Sequence, residues 1–276
     1  MTVIQTPKTS ERVLSGEGNG RIWGARASDW AHIQEPQCAA GYHAVFDKAP
    51  VGSTTRVLDA GCGAGLALKM AAELGADVAG IDASAGLLEV ARDRLPGARL
   101  EHGDLEILPF EDDSFDVVTG FNSFQYAADP VAALQEARRV SKPGGKVFVM
   151  TWGEPGSMEV TAMVAALKPL LPPMPANASG PFALSEPGKL EEFATSAGLT
   201  PREVFDVESP WIYPDLDTAL KGLGSSGVAF KAAETSGQAA LDAAHEAALA
   251  PFVQPDGSYR IGAAFRILMS GRPVRP

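Results

Sequence analysis

The chain has 276 residues, 45% hydrophobic and 21% charged, so it can bury the core of one large domain, and its formal net charge is −11. A surface that acidic repels a phosphate backbone and carries no local basic cluster, which argues against a nucleic-acid partner. Two cysteines, four histidines and no metal-ligand spacing between them exclude a disulfide framework and give no metal site; without an apolar run near ~20 residues, the expectation is a soluble, cytoplasmic protein with no membrane partner.

Residues 1–20, rich in Thr, Ser, Gly and charged side chains, read as a flexible tail without the apolar core of a signal peptide. Residues 21–50 read as an N-terminal helical lid, carrying Trp23 and Trp30 near its start and closed by Pro50, Gly52 and Ser53. From there to residue 276 the chain reads as one domain with insertions at about 153–185 and 215–256.

Its first half alternates short apolar runs with helical stretches. The runs are Arg56–Ala60, Asp77–Ile81, Arg99–His102, Phe115–Gly120 and Lys146–Thr151, and the helices are Gly65–Leu74, Ser84–Leu95 and Pro130–Val140. Strand, helix and strand in repetition require crossover connections, hence an α/β fold with a parallel sheet covered on both faces. Beyond Trp152 the pattern loosens. An apolar helical stripe runs from Val160 to Leu171, a second helix covers Leu190–Ala197, and a strand is expected near Val204–Tyr213. Ala- and Gly-rich helices fill 215–250, with His245 expected on a solvated face, and Tyr259–Met269 alternates as one last strand.

The chemistry is concentrated where the first strand meets its helix, in Val57-Leu58-Asp59-Ala60-Gly61-Cys62-Gly63-Ala64-Gly65. Glycines permit the sharp turn and a close approach of ligand to backbone, and the helix beyond offers unpaired N–H groups. The dinucleotide fingerprint needs a third glycine where Leu66 stands, and Asp59 before the turn would repel a pyrophosphate while suiting a cationic ligand. Asp82 ends the second run and can accept from both ribose hydroxyls; Asp104 follows the third run and can accept from an adenine amine, with the Leu105 backbone at the ring edge.

These segments, with Leu108-Pro109-Phe110, Phe115-Asp116-Val117-Val118 and Lys142-Pro143-Gly144-Gly145, resemble the successive motifs of class I S-adenosylmethionine-dependent methyltransferases, most nearly the ubiquinone/menaquinone-biosynthesis-like group. The resemblance covers roughly residues 20–152 and marks the cofactor better than the substrate. It implies a Rossmann-like, doubly wound, seven-stranded and mostly parallel sheet whose last strand, Tyr259–Met269, inserts antiparallel beside the fifth, with a helical lid and cap. It further implies S-adenosyl-L-methionine as cofactor, the methionine moiety held by Asp59, Ala60, Gly61, Cys62 and Gly63, the ribose by Asp82 with Ala83, and the adenine by Asp104 and Leu105. Phe121, Asn122 and Ser123 would face the transferable methyl, and Trp30 or Trp23 would close over the cofactor.

His43, Gln125, Tyr126 and Trp211 are candidates for touching a small-molecule acceptor, the last as part of an apolar cap. No residue stands out as a general base, so the nucleophile (O, N or C) stays open, as does the oligomeric state. Two other functions share this scaffold: a nicotinamide-dependent oxidoreductase, disfavoured by Leu66 and Asp59, and a non-catalytic S-adenosylmethionine-binding protein.

Overall fold

The computed structural model describes residues 14–173 and 180–274. Its centre is a seven-stranded sheet built from β1 (Arg56–Ala60), β2 (Asp77–Asp82), β3 (Arg99–His102), β4 (Phe115–Phe121), β5 (Ser141–Trp152), β6 (Thr200–Glu208) and β9 (Ala264–Gly271), in the order β3-β2-β1-β4-β5-β9-β6. The first five are parallel, and β9 inserts antiparallel between β5 and β6, as the family resemblance implies. Lys142–Gly145 does not precede β5 but bulges within it, so that the pairing of Phe115 with Ser141 is followed by Val117 with Lys146.

Consecutive residues of the central strands are buried on opposite faces, which is why these strands read as unbroken apolar runs. Leu58 and Val118 enter a core with α6 (Pro130–Val140) and α8 (Lys189–Ser196), while Val57 and Val117 enter another with α3 (Ala39–Lys48), α4 (Leu66–Glu73) and α5 (Ala85–Arg94). Removing a side chain such as Phe148, which has no exposed surface, would cost about 3–5 kcal/mol. Helix starts follow local chemistry: Ser84 Oγ accepts from Leu87 N–H at the head of α5, and Asp129 accepts from Ala132 N–H before Pro130 at the head of α6.

The lid is broken into pieces: α1 (Gly16–Gly24), a short turn α2 (Ala27–Asp29), a π-helical turn Trp30–Gln34 and a 3₁₀ turn Glu35–Cys38, ending in α3. Helix α1 therefore begins inside the stretch expected to be a tail, whose residues 1–13 lie outside the described ones. Beyond the sheet, α7 (Thr161–Leu167), α9 (Leu216–Gly224), α10 (Gly227–Ser236) and α11 (Gln238–Leu249) join a two-stranded sheet of β7 (Trp211–Tyr213) and β8 (Tyr259–Ile261). Met158, Val160, Trp211, Tyr213, Leu223 and Ile261 make a small core of their own there.

The two late strands expected near Val204–Tyr213 and over Tyr259–Met269 are each split between the two sheets. Pairing runs in one register through the break, Glu208 opposite Ala264 and Trp211 opposite Ile261. Pro210 has no N–H to give, and Gly262 N–H turns to the Glu159 carboxylate at 2.6 Å, so the ribbon leaves the main sheet at this point. His245, expected in solvent, is buried on α11, and burial depresses its pKa to about 4. No helix among the described residues is long and apolar enough to cross a membrane.

Candidate functional site

A cavity lies over the carboxyl ends of β1 to β5, beneath the lid, the position at which open α/β sheets bind ligands. Its floor begins at the glycine loop. Gly61 and Cys62 donate N–H groups to the Ile81 carbonyl at 2.8 and 3.0 Å, which folds the chain back over β2. Gly61 has φ +85°, and a Cβ there would sit 2.4 Å from Ser123 Cβ, so the loop is pressed against the β4 end and only glycine fits. Above Gly63 (φ +53°) the nearest groups are Glu35 Oε1 and Trp30 Nε1, each 3.7 Å from a built Cβ, and the space is open.

Asp82, at the β2 end, lines the cavity. Its Oδ2 accepts from Gly63 N–H and its Oδ1 from Ser84 N–H, both at 2.8 Å. These bonds fix the carboxylate plane at the edge of the cavity. Burial pushes its pKa up, against the pull of those N–H groups. Asp104 and Leu105 also line the cavity. Asp104 Oδ1 accepts from Glu106 N–H at 2.9 Å, and Oδ2 accepts from Gly16 N–H at 2.6 Å, so the first residue of α1 is seated on this carboxylate.

Asp59 behaves differently. It is 2% exposed and lies under the loop, with Oδ1 accepting from the Thr119 hydroxyl at 2.8 Å. Burial, reinforced by Asp82 and Glu35, raises its pKa to about 7. Ala60 and Cys62 are buried likewise, and neither they nor Asp59 face the cavity, whereas Gly61 and Gly63 do.

The lid supplies the roof. Trp23 and Trp30 meet edge-on at 5.1 Å, and Trp23 packs on Tyr126 at 5.6 Å; all three line the cavity. Helix α1 lies so close to the turn after β2 that a Cβ at Gly20 would be 2.0 Å from the Ala83 carbonyl oxygen. Asn19 Nδ2 donates to the Tyr126 carbonyl at 2.8 Å. Toward β4 and β5 the walls are Cys38, Tyr42, Phe121, Asn122, Ser123 and Met150, with the Tyr42 and Phe121 rings in tilted contact at 4.5 Å. Asn122 holds φ +51°, strained for a side-chain-bearing residue. Burial drives Cys38 up to about 12 and Tyr126 up to about 12, and Tyr42 well above its ordinary range.

Of the acceptor candidates, only Tyr126 lines the cavity. His43 is exposed on α3. Gln125 stands behind, its Nε2 donating to Asn122 Oδ1 at 3.1 Å. Trp211 is buried in the small C-terminal core, its ring tilted against Trp152 at 5.7 Å. The sequence reasoning missed Ser15, Gly16 and Asn19, which fall in the expected tail, and Cys38, Tyr42 and Met150. The spacing of Gly16, Gly20 and Gly24 at four-residue intervals was a readable sign of a close-packed helix face. Nothing local marked Tyr42.

One arrangement bears on ligand charge. The N-terminus of α4 is where a dinucleotide fold places a phosphate. Here Leu66 N–H donates to Glu35 Oε1 at 3.2 Å, so the chain's own carboxylate, from the lid, occupies that position. Asp82 and Asp104 add negative charge along the same cavity. The donor set fits a ligand with a cationic end, two vicinal hydroxyls and an amine, and opposes a pyrophosphate.

Residues 58–149 match the family model described as a methyltransferase domain. A methyltransferase from Streptomyces halstedii, GfsG, is 31% identical over 200 residues, 67% of this chain and 69% of that one. A demethylmenaquinone methyltransferase from Renibacterium salmoninarum is 41% identical over 100 residues, 36% of this chain, and the match spans only 42% of that relative's length. Among solved structures, the YcgJ protein of Bacillus subtilis superposes with a TM-score of 0.57 at 21% identity, covering 85% of this chain and 98% of its own.

Proposed function

This chain belongs to the class I S-adenosylmethionine-dependent methyltransferase family, and we propose that it transfers the methyl group of that cofactor to an O, N or C nucleophile of a small molecule. The observation that carries the reading is the unbroken cavity over three neighbouring strand ends, with Gly61 and Gly63, then Asp82, then Asp104 with Leu105 along its floor. In this reading Gly61 and Gly63 hold the methionine moiety, Asp82 accepts from the ribose hydroxyls, and Asp104 with the Leu105 backbone takes the adenine. Trp30 and Trp23 close the roof, and Phe121, Asn122 and Ser123 face the acceptor.

When bound, the cofactor supplies a methyl carbon on a sulfonium leaving group. The chain's part is then to align the nucleophile and exclude water. Cys38, Tyr42 and Tyr126 all keep their protons at neutral pH, and no histidine among the described residues lines the cavity. Among the described residues, the carboxylates lining the cavity are Asp82 and Asp104, which this reading gives to the cofactor, so no lining side chain is assigned as general base. The acidic surface makes nucleic acid an unsuitable acceptor, and two free, buried cysteines suit a reducing cytoplasm.

The test is calorimetric titration with S-adenosylhomocysteine and with NADH. Binding of the first and not the second is expected, and the reverse would refute the assignment. Incubation with methyl-labelled cofactor and a low-molecular-mass metabolite extract then separates an enzyme, which moves label to a small molecule, from a binder, which leaves it in place.

A further inference from the structure

The residue that ties the lid to the cofactor loop lies outside every motif. Arg94 is in the last turn of α5, with 18% of its side chain exposed. Its Nη2 donates to the Ala31 carbonyl of the lid at 2.6 Å, and its Nη1 donates to the Ala64 carbonyl of the glycine loop at 2.8 Å. The same Nη1 forms an ion pair with Glu35 Oε2. Glu35 is 3% exposed, and its other oxygen accepts from Leu66 N–H, the first residue of α4. One guanidinium and one carboxylate thus fasten the lid to the glycine loop and to the helix behind it.

We propose that Arg94 and Glu35 are positioning residues for the cofactor site, seating the lid segment Trp30–Cys38 on the glycine loop and so setting how long a bound nucleoside is retained. A charge this buried is stable only beside its partner. Glu35 comes from the lid and Arg94 from the body, so the ion pair between them forms only when the lid is down. Guanidinium suits the task because its rigid planar fork spreads its donors over separate nitrogens, Nη1 to the carboxylate and the Ala64 carbonyl and Nη2 to the Ala31 carbonyl, whereas an ammonium presents all three donors from one atom. Trp30 lies in the same segment, with its Nε1 as close to the space above Gly63 as Glu35 Oε1 is. Displacing the pair therefore moves the cavity roof.

Retention of a nucleoside rests on the proposed cofactor; the seating of the lid does not. The test uses the full chain, wild type against Glu35→Gln and Arg94→Lys, with two readouts. The first is amide hydrogen exchange without ligand: exchange in residues 27–38 should rise at least about tenfold while β1 and β4 stay as in the wild type. The second is stopped-flow fluorescence of Trp23 and Trp30 with S-adenosylhomocysteine. The dissociation rate should rise about tenfold and the association rate change less than about threefold.

Unchanged lid exchange overturns the proposal, and so does lid and core exchange accelerating together, which marks a merely structural ion pair. A loosened lid with wild-type dissociation overturns the retention claim. If the wild type binds no S-adenosylhomocysteine, the cofactor reading falls, and the exchange data still decide the lid.

Discussion

Asp59→Asn should make the protein progressively more stable than the wild type as pH rises, because the native carboxyl is held protonated beneath the glycine loop. Burial raises its pKa from 3.8 to about 7, with Asp82 and Glu35 adding like charge and only the Thr119 hydroxyl opposing. The folded-state pKa lies above the unfolded one, so this group's stability contribution is complete below pH 3.8 and is lost as pH climbs through 7. Ionising it costs about 1.36 kcal/mol for each pH unit between those limits. Between pH 5.5 and 8 the wild type therefore loses about 2 kcal/mol that the Asp59→Asn variant does not lose, out of about 4 kcal/mol across the whole window.

Asparagine keeps the shape, and its carbonyl still accepts from Thr119, so any packing offset is the same at every pH. Urea denaturation of both proteins at half-unit intervals from pH 5.5 to 8.5 gives the difference directly. Carboxylates remote from Asp59, such as Asp116 and Glu136, which partners hold below the ordinary range, cancel in the subtraction. A difference that stays flat over this window, or one that falls with pH, would show that Asp59 is ionised in the native protein and refute the reasoning.

Asp82→Ala should weaken S-adenosylhomocysteine binding by about 1–3 kcal/mol in calorimetry, since two bonds to a charged acceptor disappear; unchanged affinity would remove Asp82 from the ribose. Gly61→Ala should abolish binding and lower the melting temperature, because its Cβ meets Ser123 at 2.4 Å at a φ of +85°. Gly63→Ala, with nothing nearer than 3.7 Å, should cost only about 1 kcal/mol of folding stability from backbone strain; an equal fall in melting temperature from the two would contradict the loop geometry. Trp211→Ala should cost about 3–5 kcal/mol of stability in denaturant titration while leaving cofactor affinity intact, and a selective loss of affinity would place Trp211 in the site after all.

The floor of the site was legible because its signals are local. A strand, a turn that only glycine can make, and a carboxylate at each following strand end are set by neighbours in sequence, and Gly61, Gly63, Asp82, Asp104 and Leu105 all face one cavity. The same local signals located α4, α5 and α6 to within a residue or so. The roof was partly legible: Trp23 and Trp30 were expected and line the cavity, but Ser15, Gly16 and Asn19 lay in what read as a tail. Helix α1 has no buried residue to announce it, and it is held by Asp104, 88 residues away.

What periodicity determined, then, was an α/β fold with a covered parallel sheet, and what the resemblance of its motifs implied was the doubly wound order and the class of cofactor, because both are written in patterns a few residues long. Tertiary structure alone decided that Asp59 is sealed under the loop while Asp82 faces the cavity, since alternate residues at a strand end look alike in sequence and differ only in what packs over them. It alone split the last ribbon between two sheets at Pro210 and Gly262, and it alone brought Arg94 to Glu35 across 59 residues of chain. Such contacts depend on the closure of long loops around a finished core, and no local pattern encodes where those loops close.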